Sequence, residues 1–187
     1  MIFDEQLARK PDHYPQFQQF IQAMWDNPWN SSKFSFQSDI QDFKTELSVQ
    51  ERDMIVKALS AIGQIEIAVK RFWARLGDTL KHPSLIDVGL VMAGVEVIHN
   101  VAYERLLKVL QLEDIFEENM KLDIIKGRVA YLRKYNERSY EDAKKQFVYA
   151  LILFTLFVEN VSLFSQFYIV LWFNNKLITF KSISSLC

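Results

Sequence analysis

The sequence predicts an all-α bundle built on long helices, and three observations carry that prediction. Gly (5) and Pro (4) are scarce in 187 residues, so few positions interrupt a helix. Half of the residues are hydrophobic and 14% aromatic, enough apolar material for one core of ordinary size. Along three long stretches, apolar residues recur at alternating steps of three and four, which is the period of one buried helix face.

Each element has a local reason. Residues at about 12–26 form a first short helix, with Asp12 or His13 near its start. Asn27 to Phe43 mixes Pro28, Ser31 and Ser32 with aromatic residues and is expected to be an irregular connection. Ser48, followed three residues later by Glu51, is a capping-box signature that opens a long helix over about 48–77, ended by Gly77-Asp78. Pro83 suits the first turn of a second long helix, about 83–112, with His82 or Ser84 beside its cap. A more polar piece follows at about 114–134. A third long helix, about 139–173, starts at a second capping box, Ser139 with Asp142. The tail Asn174 to Cys187 carries no clear pattern. One domain, 1–187, is expected to hold all of this.

Composition excludes several function classes. The formal net charge is -1, so no basic excess supplies the phosphate-neutralising field of a nucleic-acid binder. A single cysteine, Cys187, rules out an intramolecular disulfide and suits a reducing cytosol. Met1 to Glu5 lacks the basic start and apolar run of a secretory signal, so a cytoplasmic location is expected. One segment argues the other way. Val148 to Phe173 carries a single ionisable charge, Glu159, and is long enough to span a bilayer. A lone mid-membrane carboxylate costs on the order of 2.5–3.5 kcal/mol. A buried helix of a soluble bundle is the expectation, and it turns on whether Glu159 has partners elsewhere in the chain.

Each long helix has a seam interrupted by charge. Ile55, Leu59, Ile62, Glu66, Val69, Trp73 and Leu76 form one continuous stripe. Met92, Glu96, His99, Tyr103, Leu106 and Leu110 form the second, widened by Val88, Val95, Ala102 and Val109. Ile152, Leu156, Glu159, Leu163, Phe167 and Val170 form the third. A carboxylate in a helix core is expensive unless it is paired, protonated or bound to a metal. No Lys or Arg lies on the central part of these stripes, so a bound cation is the economical counter-charge. Carboxylate oxygens with one imidazole suit iron or manganese better than a structural zinc, which favours thiolates. Glu96 and His99, three apart, share a face and can ligate one metal. Tyr103 lies two turns beyond Glu96, within reach of oxidation from such a centre. Taken singly, each has a plainer reading: a chance Glu-x-x-His, a core tyrosine, a carboxylate at a helix edge. Together they make a cluster.

At these residues the chain resembles the radical-generating small subunit of class I ribonucleotide reductases. The match takes in Trp29 with Asp39 ten residues on, Gln64-Ile65-Glu66, Glu96-Val97-Ile98-His99 with Tyr103, Phe157-Val158-Glu159-Asn160 and Asn174-Asn175-Lys176-Leu177. Glu-x-x-His alone is generic to ferritin-like carboxylate proteins; the tyrosine four after the histidine and the upstream tryptophan are more specific. The resemblance implies a ferritin-like bundle holding dinuclear iron, manganese or a mixed manganese–iron pair. It implies that Glu66, Glu96 and His99 ligate the first metal, with Glu96 bridging, and that Glu159 ligates the second. Tyr103 would hold the stable radical, and Trp29 would carry the electron toward the large subunit, which reduces ribonucleotides. Leu163 and Phe167 would wall the radical off from water. A homodimer is also implied.

Two departures stand out. Glu66 occupies a position where aspartate is commoner in the family. The chain also stops at Cys187, before a second Glu-x-x-His and a docking tail appear, so the bundle is expected to be C-terminally truncated and its site half-built. Alone, such a fragment is expected to be poorly soluble, to retain metal weakly and to hold no lasting radical. A complementing C-terminal fragment, or a continuation of an interrupted gene, would supply the rest. Two alternatives remain at this point: another ferritin-like oxidase or iron-binding bundle, and a non-catalytic membrane or interaction protein built on Val148–Phe173.

Overall fold

The long helices pack around one of their number, and sequence signals set where each begins. The computed structural model describes residues 2–26, 29–136 and 143–176, and every regular element among them is helical. In chain order these are α1 (Gln16–Asp26), a 3-10 turn (Ser31–Lys33), α2 (Gln37–Thr45), α3 (Val49–Ala74), α4 (Leu76–Thr79) and α5 (Pro83–Leu110). Then follow α6 (Glu113–Asn119), α7 (Asp123–Asn136), α8 (Ala143–Ile152), a π-helical segment (Leu153–Leu163) and α9 (Phe164–Lys176).

α3 starts at its capping box: Ser48 Oγ accepts from the Glu51 amide at 3.3 Å, and Glu51 returns a bond to the Ser48 amide at 2.9 Å. α5 starts at Pro83, with His82 Nδ1 accepting from the Ser84 amide at 3.2 Å. Asp12 ties the N-terminal segment to this cap, accepting from the Tyr14 amide at 3.0 Å and from Ser84 Oγ at 2.8 Å. The capping pair Ser139 and Asp142, together with Leu177 and Cys187, falls outside the described residues.

Three expectations need correction. The connection over 27–43 contains the 3-10 turn and the start of α2. Phe36 turns the chain into α2 with a left-handed backbone, φ 56°, and its fully buried ring lies under the Arg105 guanidinium, so tertiary burial overrides an unpromising local sequence. α3 ends at Ala74, with Arg75 as its cap, rather than at Gly77. Gly77 serves a different purpose: a Cβ there would lie 2.8 Å from Ile86 Cγ1, so it permits close packing of α4 on α5. The third correction concerns the long C-terminal helical run. Its first seam residues, Ile152 and Leu156, are 44% and 52% exposed, while Phe154 and Val158 are buried. Over Leu153–Leu163 the backbone bonds from i to i+5, and the wider turn carries one more residue than an α-turn, rotating the buried face. Asn160 Nδ2, donating to the Thr155 carbonyl at 2.6 Å, supports that turn.

α3 is the central helix. α5 packs antiparallel to it, α7 parallel, and the α8–π–α9 run also packs against it, with Phe72 stacked on Phe154 at 4.4 Å. All seven residues of the first seam, including Glu66, are buried. α5 and the run Ala143–Asn175 are long and apolar enough to cross a membrane. Yet Glu159, the single charged side chain between Val148 and Phe173, has a partner within the bundle: Trp73 Nε1 of α3 donates to Glu159 Oε1 at 3.2 Å.

Candidate metal centre

α3 and α5 approach closely, and the approach sets the site. Gly89 lies where a Cβ would be 2.6 Å from the Trp73 carbonyl and 2.8 Å from Leu76 Cβ. About two to three turns further along the same contact, Glu66 of α3 faces Glu96 and His99 of α5. Ligand atoms from these three residues all lie within 4.8 Å of one another. Glu66 and Glu96 are buried and His99 is partly exposed, with His99 Nδ1 3.3 Å from Glu96 Oε2. Spacing of three on one helix places the latter pair side by side, and helix packing adds the third.

The electrostatics of the cluster follow from burial. Dehydration of Glu66 pushes its pKa up to about 8, and the Glu96 charge adds to the rise; His99, Asn100 and Lys70 oppose it. Glu159 is raised for the same first reason, burial, with Glu96 adding to it and the Trp73 indole opposing. Burial pulls His99 down, but the Glu96 hydrogen bond and the charges of Glu96, Glu66 and Glu159 outweigh it, so the imidazole is raised. A site whose donor atoms come from carboxylates and one imidazole fits a divalent iron or manganese ion. The cation would replace the protons that burial favours on Glu66 and Glu159.

Glu159 lies on the far side of the same opening. A groove of about 820 Å³ is lined by Glu96, His99 and Glu159 together with Trp29, Met92 and Val95. Trp29 lies against His99, ring centroids 5.7 Å apart at 31°. Tyr103, one turn beyond His99, is buried in α5 among the core residues. Leu163 is buried and Phe167 half-buried in the same core. The structure therefore brings Glu66, Glu96 and His99 into one cluster, with Glu159 and Trp29 on its open side.

Sequence reasoning missed the neighbours that hold these groups. Asn100 Nδ2 donates to Glu66 Oε2, and Lys70 Nζ donates to Asn100 Oδ1. Lys70 lies beside the first seam rather than on it and reaches Glu66 through the Asn100 amide. The signal was present, since Lys70 follows Glu66 by four and Asn100 follows Glu96 by four, each one turn on. Trp73 was legible as a core residue, but its indole bond to Glu159 was not.

The family model described as "Ribonucleotide reductase, small chain" matches residues 8–185. The "Probable ribonucleoside-diphosphate reductase small subunit 376L" of Invertebrate iridescent virus 6 is 24% identical over 176 residues, covering 88% of this chain and 49% of the viral protein. The corresponding small subunit 048L of Invertebrate iridescent virus 3 is 23% identical over 192 residues, covering 92% of this chain and 50% of its own length. The chain thus spans about half the length of the curated relatives it matches. The dimanganese(II)-NrdF of Streptococcus sanguinis shares the fold, with a TM-score of 0.73 at 16% identity, over 98% of this chain and 66% of that one. The match over nearly the whole chain, on a ferritin-like helical scaffold with clustered carboxylates, shows that this protein belongs to the ribonucleotide reductase small-chain family.

Proposed function

We propose that this chain contributes the first half of a dinuclear metal site in a ribonucleoside-diphosphate reductase small subunit, and that its tyrosine Tyr103 carries the radical. The observation that carries this reading is the convergence of Glu66, Glu96 and His99 to within 4.8 Å in a largely buried setting. These three would hold the first metal, with Glu96 also facing the second, and Glu159 would hold the second. Segments beyond these 187 residues, from the same polypeptide or a complementing chain, would supply its remaining ligands.

Held by these residues, a reduced metal pair would allow oxygen to serve as the oxidant for a one-electron oxidation of a nearby phenol. Tyr103 gives up that electron and its hydroxyl proton, and its burial keeps water and reductants from quenching the product. Trp29, packed against His99, passes an electron between the site and the surface when a large subunit docks. Reduction of ribonucleotides would take place on that large subunit, with the small subunit acting as a dimer in the cytosol.

The test is electron paramagnetic resonance after aerobic loading with iron or manganese, using the chain together with the C-terminal half of a viral relative. A tyrosyl signal that disappears in Tyr103→Phe is the expected result. Metal uptake without any tyrosyl signal in the complemented protein would leave a metal-binding bundle and remove the radical role.

A further inference from the structure

Glu66 has one more rotatable bond than an aspartate would have, so something must hold its carboxylate if it is to meet a cation at a fixed point. Two half-buried residues do so. Asn100, next to His99 on α5, donates from Nδ2 to Glu66 Oε2, and Lys70, one turn beyond Glu66 on α3, donates to Asn100 Oδ1. An ammonium can only donate, so the amide must turn its oxygen toward Lys70 and its nitrogen toward Glu66. Lys70 thereby determines which end of Asn100 the carboxylate meets.

We propose that Asn100 and Lys70 are a positioning pair that holds Glu66 by one carboxylate oxygen and leaves the other for the cation. The inference rests on the metal-site reading above and adds the binding mode of Glu66 to it. The arrangement has a chemical advantage over direct contact. An ammonium touching Glu66 would form an ion pair and repel an incoming divalent ion at short range. Placed behind an amide, the same charge polarises the Nδ2 donor while the ammonium stays one residue further from the metal. Partners of this kind typically alter metal affinity by about 10–100-fold.

The experiment is calorimetric titration of the full chain with manganese(II) chloride, together with manganese(II) EPR at saturation. Asn100→Leu keeps the volume and loses both bonds; it should weaken binding about tenfold or more and change the EPR line shape. Lys70→Met should weaken binding less, and Lys70→Arg should restore it. The double variant should bind no more weakly than Asn100→Leu alone, because Lys70 acts through Asn100. Circular dichroism checks that each variant folds; should Asn100→Leu not fold, Asn100→Ser with the two Lys70 variants answers the same question. Wild-type affinity in both Asn100→Leu and Lys70→Met, or additive losses in the double variant, overturns the pair. Manganese(II) binding that is absent in the wild type, or unchanged in Glu66→Ala, instead overturns the metal-site reading.

Discussion

Glu66 shows how burial turns one side chain into a site. Its pKa near 8 is set first by dehydration, so the metal-free protein holds it protonated at neutral pH. A carboxyl whose folded pKa lies above its unfolded value, 4.5, contributes stability that is fully present below that value and lost as pH rises through about 8. The raised Glu159 and His99 act in the same direction. Metal-free protein should therefore lose on the order of 4 kcal/mol, with a falling Tm, between pH 5 and pH 9, and Glu66→Gln should flatten that slope. Thermal melts across that range check it; a wild-type Tm that rises with pH would contradict the assignment. Trp73 makes a second residue-scale case. Trp73→Phe removes the indole donor to Glu159 and should cost about 1–3 kcal/mol, less so in a Glu159→Ala background where the partner is gone. Urea unfolding of the four proteins of that cycle measures the difference.

Helix spacing governs the next scale. The ligands come from two helices, so their convergence depends on how closely α3 and α5 approach, and Gly89 sits where a side chain would collide with backbone. Gly89→Val should destabilise the fold by about 1–3 kcal/mol and weaken manganese(II) binding as the helices separate. Gly94, where a Cβ would meet nothing, is the control: Gly94→Ala should be neutral or stabilising by up to about 1 kcal/mol. The π-segment makes a prediction of its own about phase. Leu156→Ser, on the exposed side, should change stability by about 0.5 kcal/mol or less, whereas Phe154→Ser, at a fully buried position, should cost about 3 kcal/mol or more. An uninterrupted α-helix through this region would reverse the order, so the pair of denaturation midpoints decides between the two geometries.

At the scale of the molecule, the outer side of the α8–π–α9 run is an apolar surface. Leu156, Phe157, Val161, Phe164 and Tyr168 are each more than half exposed, and Trp172 is nearly so. Contiguous patches of this kind are uncommon on monomers and drive association. The 187-residue chain alone should therefore self-associate at micromolar concentration, and Phe164→Glu with Tyr168→Glu should shift it toward monomer in size-exclusion chromatography with light scattering. A wild-type chain that runs as a monodisperse monomer would show that this surface is tolerated in water.

The sequence by itself determined the helical class, the caps that start α3 and α5, and the alignment of Glu66, Glu96 and His99 with the buried seams. These are local or periodic properties: a cap needs a few residues, and a 3.6-residue repeat names the face that leaves water. Tertiary structure decided the rest. Periodicity assumes a constant turn, so it could not register the π-segment that rotates Leu156 outward and Phe154 inward. Local composition could not reveal α2, whose entry depends on burying Phe36. The bonds from Lys70 to Asn100, Asn100 to Glu66 and Trp73 to Glu159 join residues 30 to 86 positions apart, and only the packed helices bring them together.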